Sequence, residues 1–194
     1  MWLFLASECL FFGGLIGTFL LYRSQIGVPC EDGVLGSCVF PVDRTVNGVA
    51  YDGIFDIPFT SVSSFVLLMS SLSMVLALAA IQRNNRRGAQ IWLLCTAMLG
   101  MIFLAGQAFE FQAFVDEGLT LSTNLFGTTF FILTGFHGAH VSVGVLILLS
   151  LSVRVARGQL TQENSLTLEL AGLYWHFVDI VWIVIFTLVY LIQT

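Results

Sequence analysis

The chain has 194 residues, of which 57% are hydrophobic and only 10% charged, and its formal net charge is −5. A water-soluble domain of this length needs more polar groups to cover its surface, so the composition excludes most soluble folds and predicts a protein embedded in lipid. All seven basic residues are arginine, and no basic patch is present to neutralise phosphates, which argues against a nucleic-acid partner.

Long apolar runs organise the whole sequence. A helix needs about 20 mostly apolar residues to cross the bilayer core, whereas barrel strands would be shorter and would alternate. We therefore predict an all-α membrane protein, a five-transmembrane-helix bundle that forms a single domain over 1–194 with a long outer loop at 23–58. Nothing basic precedes Arg23, so the first run is predicted to be a retained helix and not a secretory signal. The predicted helices are 1–22, 59–82, 89–111, 126–153 and 171–192.

The loops differ in the sign of their charges, which predicts the orientation of the bundle. Arg83, Arg86 and Arg87 lie between the second and third predicted helices, and Arg154 and Arg157 follow the fourth. Short loops rich in arginine stay on the cytoplasmic side. The other two loops are acidic. All four loops therefore predict an N-terminus inside and a C-terminus outside.

The long outer loop is rich in turn-forming residues. An Asn-Gly pair at 47–48 favours a β-hairpin. Cys30 and Cys38 also lie in this loop, and they can form a disulfide if it faces an oxidising compartment. The sequence leaves the bridged and the free states of these two cysteines equally open.

Ionisable side chains inside the predicted helices need a physical reason, because a charge in hydrocarbon is costly and normally faces protein or a partner. Counting about 1.5 Å per residue from the inner ends places Glu8 at the depth of His176 and Asp179. His137 and His140 lie nearer the middle and on one helix face. The full set comprises Glu8, Glu110, His137, His140, His176 and Asp179 inside the predicted helices, and Glu169 just before the last of them.

Three explanations for this set stay open. The residues can be protonated carboxyls and neutral imidazoles that hydrogen-bond neighbouring helices, groups on a proton or ion route, or ligands of a haem. Three histidines supply at most one haem with two axial imidazoles, and their predicted depths differ. The sequence has no nucleophile–base pair, phosphate loop or zinc spacing. We therefore predict no catalytic residue and no metal ligand in this chain.

Four segments resemble subunit III of the haem–copper cytochrome c oxidases. Thr129–Val141 reads TFFILTGFHGAHV and resembles the sixth helix of that family. Tyr174–Trp182 reads YWHFVDIVW and is similar to its last helix almost residue for residue. Trp2–Glu8 and Gln107–Phe111 resemble parts of the third and fifth helices. The resemblance covers the whole chain, which corresponds to the last five helices of the seven-helix family members and to the five-helix forms.

The resemblance implies a non-catalytic core subunit of a terminal oxidase, which reduces oxygen to water and moves protons across the membrane. In such complexes subunits I and II hold the haems and copper, and cytochrome c or another donor reaches the complex through subunit II. Subunit III packs beside subunit I, binds phospholipid and helps proton uptake on the inner side. The implied location is the inner (plasma) membrane of a bacterium, ahead of the mitochondrial inner membrane.

The resemblance also implies roles for three residues. Glu8 corresponds to the family's intramembrane carboxyl that reacts with carbodiimide, a reactivity that suits a protonated acid in an apolar site. Arg154 and Arg157 fall where family members have basic residues that meet lipid headgroups, and a role as topology determinants alone explains them equally well. The other members of the ionisable set match family positions without an assigned chemistry.

Two features of the resemblance leave alternatives. Glu8 follows a serine, as in the cytochrome c branch, whereas the quinol branch often has aspartate there; the homologous subunit of a quinol oxidase or of a nitric oxide reductase stays an alternative. In the long forms the lipid cleft lies between the first two helices and the other five, so a five-helix form would need another subunit to complete it. A self-contained membrane b-type cytochrome is the alternative from a different functional class.

Overall fold

The computed structural model describes residues 1–23, 44–46, 49–51, 56–116 and 125–191. Within these ranges, five helices are long and apolar enough to cross a membrane. The all-α membrane bundle expected from the sequence is confirmed, while the orientation of its termini stays a prediction. The helices are α1 (Trp2–Arg23), α2 (Ile57–Gln82), α3 (Arg86–Asp116), α4 (Leu125–Ala156) and α5 (Leu166–Phe186), and α5 continues as a π-helical turn over Thr187–Leu191.

Two short strands lie in the long loop between α1 and α2. β1 (Arg44–Val46) and β2 (Val49–Tyr51) pair antiparallel, with Arg44 opposite Tyr51. The strands flank the Asn-Gly pair from which the sequence predicts a hairpin. Cys30 and Cys38 lie outside the described residues, so their disulfide stays a prediction.

The helices extend beyond the apolar segments that predict them. α2 begins at Ile57, before the predicted residue 59, because the Asp56 side chain accepts a hydrogen bond from Phe59 N at 3.1 Å and Pro58 occupies the first turn. α3 exceeds the predicted 89–111 at both ends, and α5 begins before the predicted residue 171. Hydropathy marks the part of a helix that lies in hydrocarbon, whereas the helical backbone continues into the headgroup region.

The helices form a ring with one helix outside it. α2, α3, α4 and α5 are successive neighbours around the ring, and α1 packs against α4 and α5 from outside. The buried Trp175 lies inside the ring, where a Cβ on Gly100 or Gly144 would come within 2.6 and 2.8 Å of its indole. Glycine at these two positions lets α3 and α4 approach the indole closely.

Both arginine-containing loops lie at one end of the bundle, which we call the arginine end. A Cβ on Gly158, in the loop after α4, would lie 3.2 Å from Arg86 Nη1 in the loop before α3. Gly158 has φ 72° and Asn84, just after α2, has φ 57°. Gly and Asn tolerate this left-handed conformation, which commonly terminates helices. The arginine end therefore carries the short connection from α2 to α3 and the longer one from α4 to α5.

Candidate functional site

Glu8 of α1 contacts His140 of α4. Glu8 Oε2 lies 3.2 Å from His140 Nε2, and 18% of the Glu8 and 19% of the His140 side chain is exposed. The rings one turn before and one turn after Glu8 contact α5, Phe4 beside Tyr174 and Phe12 beside Phe177. These contacts place Glu8 beside the part of α5 that carries His176, and the common depth of Glu8, His176 and Asp179 in the membrane stays a prediction.

The Glu8–His140 contact has the geometry of a hydrogen bond between an acid and an imidazole. His140 Nδ1 lies 2.8 Å from the Phe136 carbonyl oxygen, which can only accept, so Nδ1 carries a hydrogen. Nε2 then either accepts a hydrogen bond from a protonated Glu8 or carries a second proton and donates it to the Glu8 carboxylate. In both arrangements one proton lies between Nε2 and Oε2.

Aromatic residues surround this acid–imidazole pair. The Phe12 ring lies 5.1 Å and the Phe11 ring 6.5 Å from the His140 ring, measured between centroids. The Tyr174 hydroxyl donates to the His140 carbonyl oxygen at 3.0 Å, and the Phe4 ring lies beside the Tyr174 ring. The pair therefore lies at a seam of α1, α4 and α5, with apolar rings on several sides.

His137 lies one turn from His140 but faces the core of the ring. Its side chain is fully buried, and it stacks on Trp182 with centroids 4.9 Å apart and an interplanar angle of 26°. Phe103 and Phe12 meet it edge-on. Neither ring nitrogen makes a hydrogen bond with a described residue. His137 is thus held by aromatic contacts, while Trp182 Nε1 donates to Ser64 Oγ at 2.9 Å.

Asp179 and His176 lie one turn apart on α5. His176 Nδ1 is 2.5 Å from Ser71 Oγ on α2. Asp179 is buried, and neither of its oxygens makes a hydrogen bond with a described residue, although the Ser71 hydroxyl is within electrostatic reach. The structure therefore joins His176 to α2 through Ser71, and the Ser71 hydroxyl is also the nearest polar group for Asp179.

The two remaining acids of the set also contact α2, near its opposite ends. Glu110 of α3 is buried and bonds to the Thr60 hydroxyl close to the start of α2. Glu169 Oε1 accepts a hydrogen bond from Gln82 Nε2, at the last residue of α2, at 3.3 Å. Each of these contacts links two helices.

Arg154 lies at an open groove of about 450 Å³ among α1, α4 and α5. Phe4, Val143 and Ile147 contribute apolar walls, and Tyr174 lies at the same groove. Arg157 is exposed at the arginine end but does not line the groove. The sequence predicts the same role for both arginines, but in the structure only Arg154 lines the groove.

No metal-binding group of three or more His, Cys, Asp or Glu side chains occurs in the part of the chain that the structure describes. Sequence reasoning missed the partners of the ionisable set. Ser71, Thr60 and Gln82 on α2 and Trp182 on α5 contact its members. The spacing of residues along the sequence does not indicate which helices are neighbours, so it could not predict these contacts.

The fold and these contacts define a multi-span membrane protein whose helices are joined through buried polar and aromatic side chains. The family model described as "Cytochrome c oxidase subunit III" matches residues 1–194. The chain belongs to this family and is a subunit III of the haem–copper oxidases, which confirms the resemblance found in the sequence.

Relatives from both donor classes are similar to the chain. The cytochrome c oxidase subunit 3 of a Synechocystis species is 40% identical over 98% of this chain and 73% of the relative. That of Alkalihalophilus pseudofirmus is 37% identical, and the quinol oxidase subunit 3 of Bacillus subtilis is 34% identical, each over 98% of this chain and 84% of the relative. These bacterial relatives are consistent with a bacterial membrane, and they do not distinguish the two donors.

Proposed function

We propose that this chain is a non-catalytic core subunit III of a proton-pumping cytochrome c oxidase in the plasma membrane of a bacterium. It packs directly on subunit I, which with subunit II holds the haem and copper, and it supports oxygen reduction during aerobic respiration. The observation that carries the proposal is the Glu8–His140 contact. A carboxyl and an imidazole that share a proton at a partly exposed seam can exchange protons without binding a metal.

The position of this pair supports a role in proton uptake on the inner side. Glu8 lies six residues after the start of α1, which corresponds to about 9 Å along the helix axis. With the N-terminus inside, as the loop charges predict, the pair lies towards the inner half of the membrane. The remaining ionisable residues act mainly as links between helices, because Glu110, His176 and Glu169 each bond a neighbouring helix.

The groove at Arg154 supports the proposed binding of phospholipid. Its apolar walls suit an acyl chain, and an arginine at the membrane interface suits an anionic headgroup. Arg157, exposed at the same end, is a second contact for headgroups or a determinant of topology.

Two other functions remain as alternatives. The similarity to a quinol oxidase subunit 3 supports a quinol-oxidising complex, because the donor depends on subunit II and not on this chain. A self-contained b-type cytochrome fits the contacts less well, since both nitrogens of His140 and Nδ1 of His176 are engaged by the protein.

Carbodiimide labelling of the intact oxidase complex tests the role of Glu8. We expect dicyclohexylcarbodiimide to modify this subunit at Glu8, and Glu8→Ala to abolish the labelling while electron transfer to oxygen continues largely unchanged. Glu163→Ala serves as the matched control, because Glu163 is an exposed acid in the loop before α5. Labelling that persists in Glu8→Ala, or loss of electron transfer in that variant, would reject the proposal.

A further inference from the structure

A second groove, of about 290 Å³, lies between α2 and α5 at the arginine end. Its floor is apolar and closed: Met74 is buried, and a Cβ on Gly172 would lie 3.3 Å from Met74 Cε. Val75 and Leu173 line the groove and are 50% and 37% exposed, so they lie on the outer surface of this chain. The groove therefore opens sideways on the outer surface of the bundle and not towards its core.

Two polar side chains lie along this groove. Glu169 is in the first turn of α5, at the arginine end, and His176 follows two turns deeper, about 10 Å along the helix. Gln82 Nε2 holds Glu169 Oε1, and Oε2 makes no hydrogen bond with a described residue. No arginine lines the groove. Its headgroup end thus presents a positioned acid with one oxygen available to a ligand.

The two grooves beside α5 differ in charge. The groove at Arg154 has an arginine and no acid among its lining residues, whereas the groove at Glu169 has an acid and no arginine. An anionic headgroup therefore suits the first and an ammonium group suits the second, because a charge-assisted hydrogen bond needs opposite signs.

The width of the groove at Glu169 favours a lipid chain over a protein helix. The axes of packed neighbouring helices lie about 8–10 Å apart, and a helix with its side chains is about 10–12 Å across. A third helix can lie across such a seam but cannot enter it down to Gly172. A single acyl chain is narrow enough to reach this floor.

We propose that the groove at Glu169 binds an aminophospholipid. Its ammonium group bonds the Glu169 carboxylate, and one acyl chain lies along Val75 and Leu173 over Gly172. Arg83 follows Gln82 directly in the chain and is exposed, which puts a cation at the same end for the lipid phosphate. This inference rests on the chain's place in an oxidase complex in a membrane, but not on the roles proposed for Glu8 or Arg154.

Lipid retention by the intact oxidase complex tests this site. The complex is reconstituted into nanodiscs with equal parts of phosphatidylethanolamine and phosphatidylglycerol, and the lipids that stay bound on release are counted by native mass spectrometry. We expect Glu169→Gln to lower phosphatidylethanolamine retention about tenfold, the effect of one lost charge-assisted hydrogen bond, and to leave phosphatidylglycerol unchanged. Leu173→Trp, which fills the groove without changing its charge, should lower phosphatidylethanolamine retention too.

Two variants make the test selective. Glu169→Lys should reverse the preference and retain an additional phosphatidylglycerol, whereas Arg154→Gln should leave phosphatidylethanolamine retention as it is. Equal phosphatidylethanolamine retention in the wild type and Glu169→Gln would overturn the proposal. Loss of another subunit from the Glu169→Gln complex, with lipid retention unchanged, would overturn it in favour of a partner helix. Labelling at Glu8 is read separately, so its failure leaves the lipid result interpretable.

Discussion

The two faces of α4 treat histidine in opposite ways. His137 faces the ring and is completely buried among Trp182, Phe103 and Phe12, with no hydrogen bond to a described residue. His140, one turn further on, faces α1 at the edge of the bundle, is partly exposed and contacts Glu8. The same residue type in one motif thus serves packing on one face and proton-sharing chemistry on the other.

This difference shows that the two faces should differ in their tolerance of change. The core face is closely packed, because Gly144 lies directly against the Trp175 ring. Elsewhere on α4 there is open space, as at Gly135, and the Glu8–His140 contact on the α1 face is partly exposed. Substitutions on the core face should therefore change stability, and substitutions on the α1 face should change chemistry with little effect on stability.

The largest effect is expected for Trp182→Ala, which removes the ring that stacks on His137. Loss of this buried ring should lower the free energy of unfolding by about 3–5 kcal/mol. Ile180→Ala, on the same helix but 59% exposed, is the control and should change it far less. Both free energies are measured by unfolding the complex in a denaturing detergent and following the loss of helix by far-ultraviolet circular dichroism. Equal losses would show that the core face is no more closely packed than the lipid face.

A second comparison uses two glycines of α4. A Cβ at Gly144 would lie 2.8 Å from Trp175, whereas a Cβ at Gly135 has no atom within 4 Å. We expect Gly144→Val to destabilise the fold by about 1–3 kcal/mol through overpacking and Gly135→Val to have a much smaller effect. The same unfolding assay reads this difference, and tolerance of Gly144→Val would contradict the packing around Trp175.

A double-mutant cycle measures the contact on the α1 face. Glu8→Ala and His140→Ala should show a coupling energy of about 0.6 kcal/mol, the average for polar contacts between membrane helices. The control cycle of Glu8→Ala with His137→Ala should show almost none, because His137 faces Trp182 and not Glu8. A similar coupling in both cycles would mean that the two histidines share one network.

The smallest effect on stability is expected at Asp179, a buried acid whose oxygens meet the hydrogen-bond criteria with no described residue. Replacing an unpaired buried polar group by an apolar residue of similar size is often neutral or stabilising. Asp179→Leu should therefore leave the free energy of unfolding within about 1 kcal/mol of the wild type. Asp179→Asn is the isosteric control. A large loss in the Leu variant alone would show that the carboxyl is bonded in the folded complex.

Hydropathy was sufficient to predict the five helices but not where they end. An apolar run reports the residues in hydrocarbon, so the polar first turn of α5, which carries Glu169, was assigned to a loop. The hairpin was predictable for a different reason, because an Asn-Gly turn is a local signal that needs no knowledge of the tertiary structure.

The contacts between helices were not predictable from residue spacing. The contact of Glu8 with His140 was not predicted, because counting along a helix gives the depth of a residue and not the helix that it faces. That His137 faces the ring and His140 faces α1 depends on which helices pack against each face of α4. A helix that is apolar on all faces has little hydrophobic periodicity from which its neighbours could be predicted. The motif around Trp182 was sufficient to recognise the family, but it did not predict that the Trp182 indole stacks on His137.

The absorption spectrum of this subunit, separated from the rest of the oxidase, tests the central claim most directly. We predict that the isolated chain shows no Soret band and that haem and copper stay with the remaining subunits in their original amounts. A Soret band that remains with the purified chain after the other subunits are stripped would contradict a non-catalytic supporting role.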